Sequence, residues 1–147
     1  MYIKSILNKI PDTLYTISDN APLIDAARIL SEKHNGIVVV CSNDGSMVGI
    51  ISKTDIVRQI SHCHGNSCTT MADKIMTRDI IFCKTDSLLY DVWETMKESG
   101  ITHVPVIDEN NVPIAVLNAK DTLHELLKDA QYEEALLKDY VVGIGYR

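Results

Sequence analysis

The sequence lacks several features that mark large classes of protein. No apolar run approaches the ~20 residues that a helix needs to cross a bilayer, and residues 1–7 are interrupted by lysine and lack a signal-peptide core. Positive charge is also scarce: the formal net charge is −6, whereas a nucleic-acid partner requires a basic face. We therefore expect a cytoplasmic protein with neither a membrane nor a nucleic acid among its partners.

Catalytic signatures and cysteines are scarce as well. The chain shows no nucleophile elbow, no metal-ligand helix and no carboxylate pair placed in a predicted pocket, so the sequence predicts a protein that is not an enzyme. Cytoplasmic thiols stay reduced, and we therefore expect free thiols at the four cysteines, Cys41, Cys63, Cys68 and Cys83.

The clearest feature that is present is an internal repeat. The stretch 49–55, Gly-Ile-Ile-Ser-Lys-Thr-Asp, recurs 66 positions later as 115–121, Ala-Val-Leu-Asn-Ala-Lys-Asp, and Val40 falls on Val106 in the same register. Apolar positions match throughout, which indicates one supersecondary unit present twice. The predicted fold class is α/β (α+β), with tandem β-α-β-β-α repeats at 1–66 and 67–130 and a C-terminal helix end and tail at 131–147.

The hydrophobic pattern also predicts the elements of each repeat. The first repeat is predicted to contain a short helix at 3–10, a strand at 14–17, a helix from 22 to the Asn-Gly at 35–36, strands at 37–41 and 47–51, and a helix at 53–61. The second is predicted to contain a short helix at 72–76, strands at 80–83, 102–107 and 112–117, a helix at 88–99 that Ser87 caps, and a last helix from 119 that ends before a tail at 143.

Polar groups occur where the predicted strand at 47–51 meets the next helix. Ser52 would bring a hydroxyl to the helix N-terminus, where free N–H groups attract phosphate. Asp55, one turn later, offers two acceptor oxygens that suit the two hydroxyls of a ribose. Ser-x-x-Asp at a helix start is also a variant of the capping box, which needs no ligand. These residues alone leave both interpretations open, although recurrence inside the repeat favours a ligand.

Three features together resemble a known family: the duplicated unit with Gly49…Ser52…Asp55, the Lys-Ile-Met-Thr opening at 74–77, and Thr-His-Val-Pro-Val-Ile-Asp at 102–108. They are similar to a tandem pair of CBS domains, named after cystathionine β-synthase and also called a Bateman module, of the stand-alone bacterial type. The resemblance covers nearly the whole chain and implies pseudo-two-fold packing of the repeats. It also implies a non-catalytic energy or metabolite sensor that binds an adenosine-containing ligand between the repeats, of the AMP, ADP, ATP, NAD or S-adenosylmethionine class.

The resemblance further implies two composite sites, each combining the serine and aspartate positions of one repeat with backbone from the first two strands of the other. The residues of site A are Ser52, Lys53, Asp55, Phe82, Cys83, Thr102 and His103, and those of site B are Asn118, Lys120, Asp121, Thr16, Ile17, Gly36 and Ile37. His103 stands where a basic residue meets phosphate in the family, although a hydrogen-bonded core histidine is equally expected there. Site B has alanine at 115 and asparagine at 118, where the family has glycine and serine or threonine, so site A is the stronger prediction.

Two other functions remain open. One is a ligand-free protein-interaction module; the other is a metal- or redox-responsive regulator that uses the linker residues His62, Cys63, His64 and Cys68. Imidazole and thiolate suit zinc or copper. Three of these side chains are adjacent, however, and the usual two-residue spacer is missing, so we expect no metal.

The partners expected besides the ligand are a second copy of the chain and a regulated enzyme or transporter. The family resemblance implies a flat, disc-like homodimer. Four helix residues are expected to expose more apolar surface than one helix layer hides, namely Leu89, Trp93, Met96 and Leu126. Beyond the core the apolar face is predicted to continue through Leu137, Tyr140, Val141 and Val142.

Overall fold

The computed structural model describes residues 1–33, 35–62, 65 and 69–145. Cys63, His64 and Cys68 of the linker lie outside these residues. In chain order the elements are a 3₁₀ turn (Ile3–Ser5), β1 (Thr16–Ser18), α1 (Leu23–Glu32), β2 (Ile37–Cys41), β3 (Met47–Ser52), α2 (Lys53–Ser61), α3 (Ala72–Ile75), β4 (Cys83–Lys84), α4 (Leu89–Ser99), β5 (His103–Ile107), β6 (Pro113–Asn118) and α5 (Ala119–Gly145).

The strands form two three-stranded sheets of identical topology, in the orders β1-β2-β3 and β4-β5-β6. In each sheet the first strand is parallel to the second and the third is antiparallel to it. The antiparallel registers both shift at equivalent places, directly after Val40 and directly after Val106. The predicted fold class and the 66-residue repeat are therefore confirmed.

Alternation along β2 divides its side chains between two layers. Val38 and Val40 belong to a cluster with α1 and α3, which we call the first-repeat core. Ile37 and Val39 belong to a central cluster that also contains Ile107 of the second sheet. The two sheets thus face each other and helices cover their outer faces, which explains why β2 is a continuous apolar run.

The opening segments of the two repeats are exchanged. Ile3 and Ile6 are fully buried in the cluster formed by β5, β6 and α4, which we call the second-repeat core, and the Ile3 N–H donates to the Ser87 carbonyl at 3.0 Å. Ala72 and Met76, in turn, pack into the first-repeat core. Each repeat therefore completes the core of the other.

Several predicted boundaries are wrong. The helix expected at 3–10 is a 3₁₀ turn of three residues, and the strand expected at 80–83 is only Cys83–Lys84, because Ile81 and Phe82 are exposed at 38% and 48% and lie outside the sheet. Ser87 does not cap α4. Its Oγ accepts from the Lys84 N–H at 3.0 Å in the preceding turn, and Leu88 occupies the N-cap position.

The last helix is also longer than predicted. α5 extends over 27 residues to Gly145, so the tail expected from residue 143 is helical up to that point. A helix of this length spans about 40 Å. The side chains of Tyr140, Val141 and Val142 lie outside the description. None of the described helices is both long and apolar enough to span a membrane.

Candidate functional site

Ser52 and Asp55 form a capping box at the start of α2. The Ser52 Oγ accepts from the Asp55 N–H at 3.3 Å, and the Ser52 N–H donates to Asp55 Oδ2 at 2.8 Å. Two N–H groups that the helix start leaves unpaired are thereby satisfied reciprocally. The capping interpretation is realised in this structure, so a ligand at Asp55 has to share or replace hydrogen bonds that already exist.

Asp55 also joins the two repeats. Its residue is only 6% exposed, and the carboxylate accepts further hydrogen bonds from Thr77 Oγ1 at 3.1 Å and from Arg58 Nη1 at 3.3 Å. Thr77 belongs to the opening of the second repeat and exchanges two backbone hydrogen bonds with Ile50 of β3, at 3.0 and 2.8 Å. A nearly buried carboxylate therefore lies where the repeats meet, beside the hydroxyls of Ser52 and Thr77.

Sequence reasoning did not assign Thr77 to a site. A signal was available, because Thr77 ends the Lys-Ile-Met-Thr opening at 74–77 that carries part of the family resemblance. The repeat places Pro11 at the equivalent position, and proline has no hydroxyl to offer Asp121. The two aspartates are therefore distinguished by a residue distant in sequence from both.

Gly49, which supported site A in the sequence, has a packing role here. A β-carbon at this position would overlap the side chain of Met76, which is buried in the first-repeat core. The glycine therefore makes room for the exchanged opening segment. Ala115, its counterpart, keeps its methyl group and packs against the second-repeat core, so the glycine-to-alanine difference does not by itself weaken site B.

His103 lies at the start of β5 against the backbone of Gly36. A β-carbon at Gly36 would overlap the imidazole ring, and His103 Nδ1 lies 2.9 Å from Thr102 Oγ1. Burial lowers the pKa of His103 below its ordinary value, and the positive charge of Lys53 lowers it further. The neutral imidazole is thus a packed, hydrogen-bonded side chain that also lies next to a cation at the start of α2.

The structure does not keep the residues of sites A and B in separate groups. Ile37 pairs with Ser52 across β2 and β3, and His103 pairs with Asn118 across β5 and β6. Gly36, assigned to site B, contacts His103 of site A. These residues lie at the sheet ends where β2 and β5 begin.

Phe82 and Cys83 line a cleft of about 490 Å³ beside α4, together with Asp91, Thr95 and Val104. Ser52 and Asp55 do not line this cleft. The Cys83 side chain points into the second-repeat core, so only its backbone can contact a ligand. Burial raises the pKa of the Cys83 thiol to about 12, which keeps it protonated and unreactive at neutral pH.

Site B is built on a different cap. Asn118 Oδ1 accepts from the Asp121 N–H at 2.7 Å, and Asn118 Nδ2 donates to Asp121 Oδ2 at 2.8 Å. Lys120 and Thr16 are exposed, whereas the Ile17 side chain belongs to the first-repeat core. Asn118 thus caps this helix as Ser52 caps α2, and its side-chain amide already donates to one oxygen of the Asp121 carboxylate.

The described residues offer little support for the metal- and redox-responsive alternatives. No group of three histidine, cysteine or acidic side chains there could hold a metal ion. His62 Nδ1 lies 2.9 Å from Ser61 Oγ and 3.1 Å from the Arg58 carbonyl. Burial and the nearby Asp44 raise the pKa of Cys41, so neither cysteine in the described part of the chain is an activated thiolate.

Residues 3–62 and 72–128 match the CBS domain, and the matched segments coincide with the two sheets and their helices. The chain belongs to the CBS-domain family. It is a tandem CBS pair, and proteins of this architecture are generally regulatory modules without catalytic activity.

Similarity to curated proteins is moderate. An uncharacterized 17.7 kDa protein of Acidianus ambivalens is 27% identical over 114 residues, which cover 78% of this chain and 68% of that protein. A homoserine O-acetyltransferase of Methanococcoides burtonii is 26% identical over 117 residues, which cover 80% of this chain but only 23% of the enzyme. The chain also spans only 35% of protein MJ1232 of Methanocaldococcus jannaschii, so it matches a part of two of these three relatives.

Solved structures share the fold. The CBS domain pair of protein MJ0100, in complex with 5′-methylthioadenosine and S-adenosyl-L-methionine, superposes with a TM-score of 0.70 at 23% identity and covers 86% of this chain and 99% of that chain. CBSX2 in complex with AMP superposes with a TM-score of 0.74 at 16% identity and covers 88% and 98%.

Proposed function

We propose that this CBS pair binds an adenosine-containing ligand at site A and transmits ligand binding to a protein partner as an energy or metabolite sensor. The observation that carries the proposal is the nearly buried Asp55 carboxylate between the repeats, beside the hydroxyls of Ser52 and Thr77. The complexes of two similar folds with AMP and with S-adenosylmethionine-type ligands support the ligand class.

Each residue of the proposed site has a distinct task. The ribose hydroxyls donate to Asp55 and replace Thr77 and Arg58, while the Ser52 N–H keeps its bond to Oδ2, so that α2 stays capped. Lys53 and His103 contact the 5′ substituent. The backbone of Thr102 is the proposed support for the base; the family resemblance also implies Phe82 and Cys83, but the cleft that these two residues line does not include Ser52 or Asp55.

A ligand-free interaction module is the second candidate, and one observation favours it. Both carboxylate oxygens of Asp55 already accept hydrogen bonds from Ser52, Thr77 and Arg58. A ligand has to replace some of these bonds with better ones, because a buried charged group left without its hydrogen bond costs about 1–3 kcal/mol or more.

A homodimer is part of the proposal, but its support differs from what the sequence indicated. Leu89 and Met96 are buried in the second-repeat core at 0% and 2% exposure, and Trp93 and Leu126 pack partly buried against it. The expectation that these four expose apolar surface is wrong, because α4 and α5 turn them toward the second sheet. Among the helix side chains that the structure describes, the large apolar ones that are exposed are instead Ile24, Val57, Ile60, Tyr90, Leu123, Leu127 and Leu137.

A regulated enzyme in the cytoplasm remains the proposed protein partner. The support is that a segment similar to this chain makes up about a quarter of a homoserine O-acetyltransferase. A CBS pair joined to an enzyme in one relative is consistent with a module that acts on an enzyme when it is a separate chain.

Isothermal titration calorimetry of the full chain with AMP, ATP, NAD and S-adenosylmethionine tests the proposed function. We expect at least one ligand to bind, and Asp55→Asn to weaken it tenfold or more, about 1.4 kcal/mol. Asparagine retains an oxygen that accepts the Ser52 N–H, so the cap survives. Asp121→Asn is the matched control and should change the affinity less. Equal affinity in wild type and Asp55→Asn, or no binding of any of the four ligands, would rule out site A.

A further inference from the structure

Asn35 is a buried polar residue in the connection between α1 and β2, at 6% exposure. Its Nδ2 donates to the Thr13 carbonyl at 2.8 Å and to the Ile37 carbonyl at 3.1 Å. A buried amide needs partners of this kind, and this one ties the opening segment of the first repeat to the start of β2. Ile37 is one of the site B residues whose backbone the family resemblance assigns to the base. The amide therefore already holds a carbonyl that a ligand in site B would use.

A second side-chain amide holds the other end of site B. Asn118 Nδ2 donates to Asp121 Oδ2 at 2.8 Å, and Asn118 Oδ1 accepts from the Asp121 N–H at 2.7 Å. The amide cannot turn away from the carboxylate without also leaving this N–H unpaired. A groove of about 440 Å³ beside Asp121 runs along α5 and is lined by Lys120, Asp121, Leu123, His124 and Leu127. Its lining does not include Gly36 or Ile37, the site B residues at the start of β2.

Neither amide has a counterpart in site A. The repeat aligns Asn35 with Ile101, whose side chain has no hydrogen-bond donor. It aligns Asn118 with Ser52, which holds Asp55 through its backbone N–H at 2.8 Å. The bonds that a ribose would replace at Asp55 come from other side chains, so the cap of α2 stays in place when they are exchanged.

The opening segments also meet the two sheets differently. Thr77 exchanges two backbone hydrogen bonds with Ile50, at 3.0 and 2.8 Å. The repeat aligns this pair with Pro11 and Val116, and proline has no N–H to donate. The Val116 carbonyl instead accepts from Thr13 Oγ1 at 3.4 Å. The contact with β6 is thus made two positions later in the segment, by the residue whose own carbonyl is held by the buried amide.

We propose that the chain fills site B with its own side-chain amides, so that each molecule binds a single ligand, at site A. The Asn35 amide takes the place of an amino group of the base, and the Asn118 amide takes the place of a ribose hydroxyl at Asp121. This inference rests on the proposed function for the class of ligand. It goes beyond that function by assigning the number of ligands and the residues that set it.

Equilibrium dialysis of the full chain against saturating radiolabelled AMP, ATP, NAD and S-adenosylmethionine, one at a time, counts the bound molecules. Asn118→Ser introduces the residue of site A, and Asn35→Ala removes the buried amide. The double substitution is called the opened variant, and urea unfolding verifies that it is folded. Asn110→Ser is the matched control, because Asn110 is an exposed asparagine of the β5–β6 turn.

Wild type and Asn110→Ser are expected to bind one molecule per chain, and the opened variant two. Asn118→Ser alone should already show a second, weaker site, and this variant decides the question if the opened one does not fold. Adding Asp55→Asn should remove the wild-type site and leave the opened variant with one, which Asp121→Asn then abolishes.

Two results would overturn the closure of site B: two molecules bound per wild-type chain, or no gain of binding in either Asn118→Ser or the opened variant. Loss of the wild-type site in Asp121→Asn instead of Asp55→Asn would overturn it as well. If wild type binds none of the four ligands while the opened variant binds one, site A fails and the closure of site B stands. The two proposals therefore fail separately.

Discussion

Asp55 and Asp121 occupy the same position of the two repeats and cap the same kind of helix, yet their surroundings differ. Asp55 is nearly buried and accepts a hydrogen bond from Thr77 of the other repeat. Asp121 is only partly buried and exchanges two hydrogen bonds with Asn118. A buried carboxylate is desolvated, so its hydrogen bonds discriminate more strongly between ligands. We therefore expect the more selective of the two predicted sites at Asp55, where the repeats meet.

The burial of Asp55 predicts selectivity for ribose over 2′-deoxyribose. A 2′-deoxy form of the bound ligand is expected to bind at least tenfold more weakly than the ribo form, because Asp55 would be left with an unmade bond in a nearly buried position. Competition calorimetry with the matched pair measures the difference. Indistinguishable affinities would mean that Asp55 only caps α2.

The contact between Gly36 and His103 predicts a second residue effect. Gly36→Ala is expected to lower the free energy of unfolding by roughly 1–3 kcal/mol, because the added methyl overlaps the imidazole ring. His103→Ala removes the ring, so the same substitution in that background should cost less. Urea denaturation of the four proteins in this cycle gives the coupling; additive costs would refute the steric explanation.

At the scale of elements, the exchange of opening segments is the main organising feature. The 3₁₀ turn Ile3–Ser5 packs on the second sheet and α3 packs on the first. The proposed division at 1–66 and 67–130 follows the repeat in the sequence, whereas the packing crosses it. A short turn has little stability alone, so these segments are held by the core that they complete.

The exchange predicts that a substitution near the N-terminus destabilises the second repeat. Ile6→Ala is expected to cost about 2–5 kcal/mol, since Ile6 is fully buried in the second-repeat core. Trp93 is the only tryptophan and packs against that core, so its fluorescence during urea unfolding reports the change. The matched control, Ile114→Ala, alters a residue that is 40% exposed and should cost less than 1 kcal/mol, roughly the limit for surface sites. Equal costs for the two variants would contradict the exchange.

At the scale of the whole molecule, α5 is far longer than α1, α2 and α4. It spans 27 residues, whereas α1, α2 and α4 span 10, 9 and 11. Leu137, in the C-terminal half of α5, is 64% exposed. The last 12 residues of α5, 134–145, form an extension beyond the second repeat. An isolated helix of about that length is marginal in water, so the extension is a natural second contact in the proposed dimer.

Sedimentation equilibrium tests this role. The full chain is expected to sediment as a dimer at tens of micromolar, and a chain ending at Asp129 is expected to dimerise more weakly, because it loses the extension but keeps both repeats. A monomeric full chain would contradict the proposed dimer. Unchanged dimerisation of the shorter chain would contradict only the contribution of the extension.

The family, the repeat and the order of the sheet elements could all be predicted from the amino-acid pattern alone. These depend on local patterns: the apolar run at 37–41 indicates a strand buried on both faces, and Ser-x-x-Asp at 52–55 predicts a helix start. The structure has both at the predicted positions, as β2 (Ile37–Cys41) and as α2 (Lys53–Ser61) with Ser52 at its N-cap. Local pattern also produced the errors, because the apolar run at 80–83 resembles a strand although Ile81 and Phe82 lie outside the sheet.

How the two copies of the pattern are joined could not be predicted from the sequence, because it depends on contacts between distant residues. The hydroxyl of Thr77 reaches Asp55 across 22 positions of sequence, and the ring of His103 reaches Gly36 from the other repeat. The hydrophobic periodicity of a sequence does not indicate such pairs. They form because the opening segments are exchanged and because the two sheets pack face to face. The same packing turned Leu89 and Met96 inward and left Val57 and Leu127 exposed, since a helix stripe shows which residues share a face but not what that face meets.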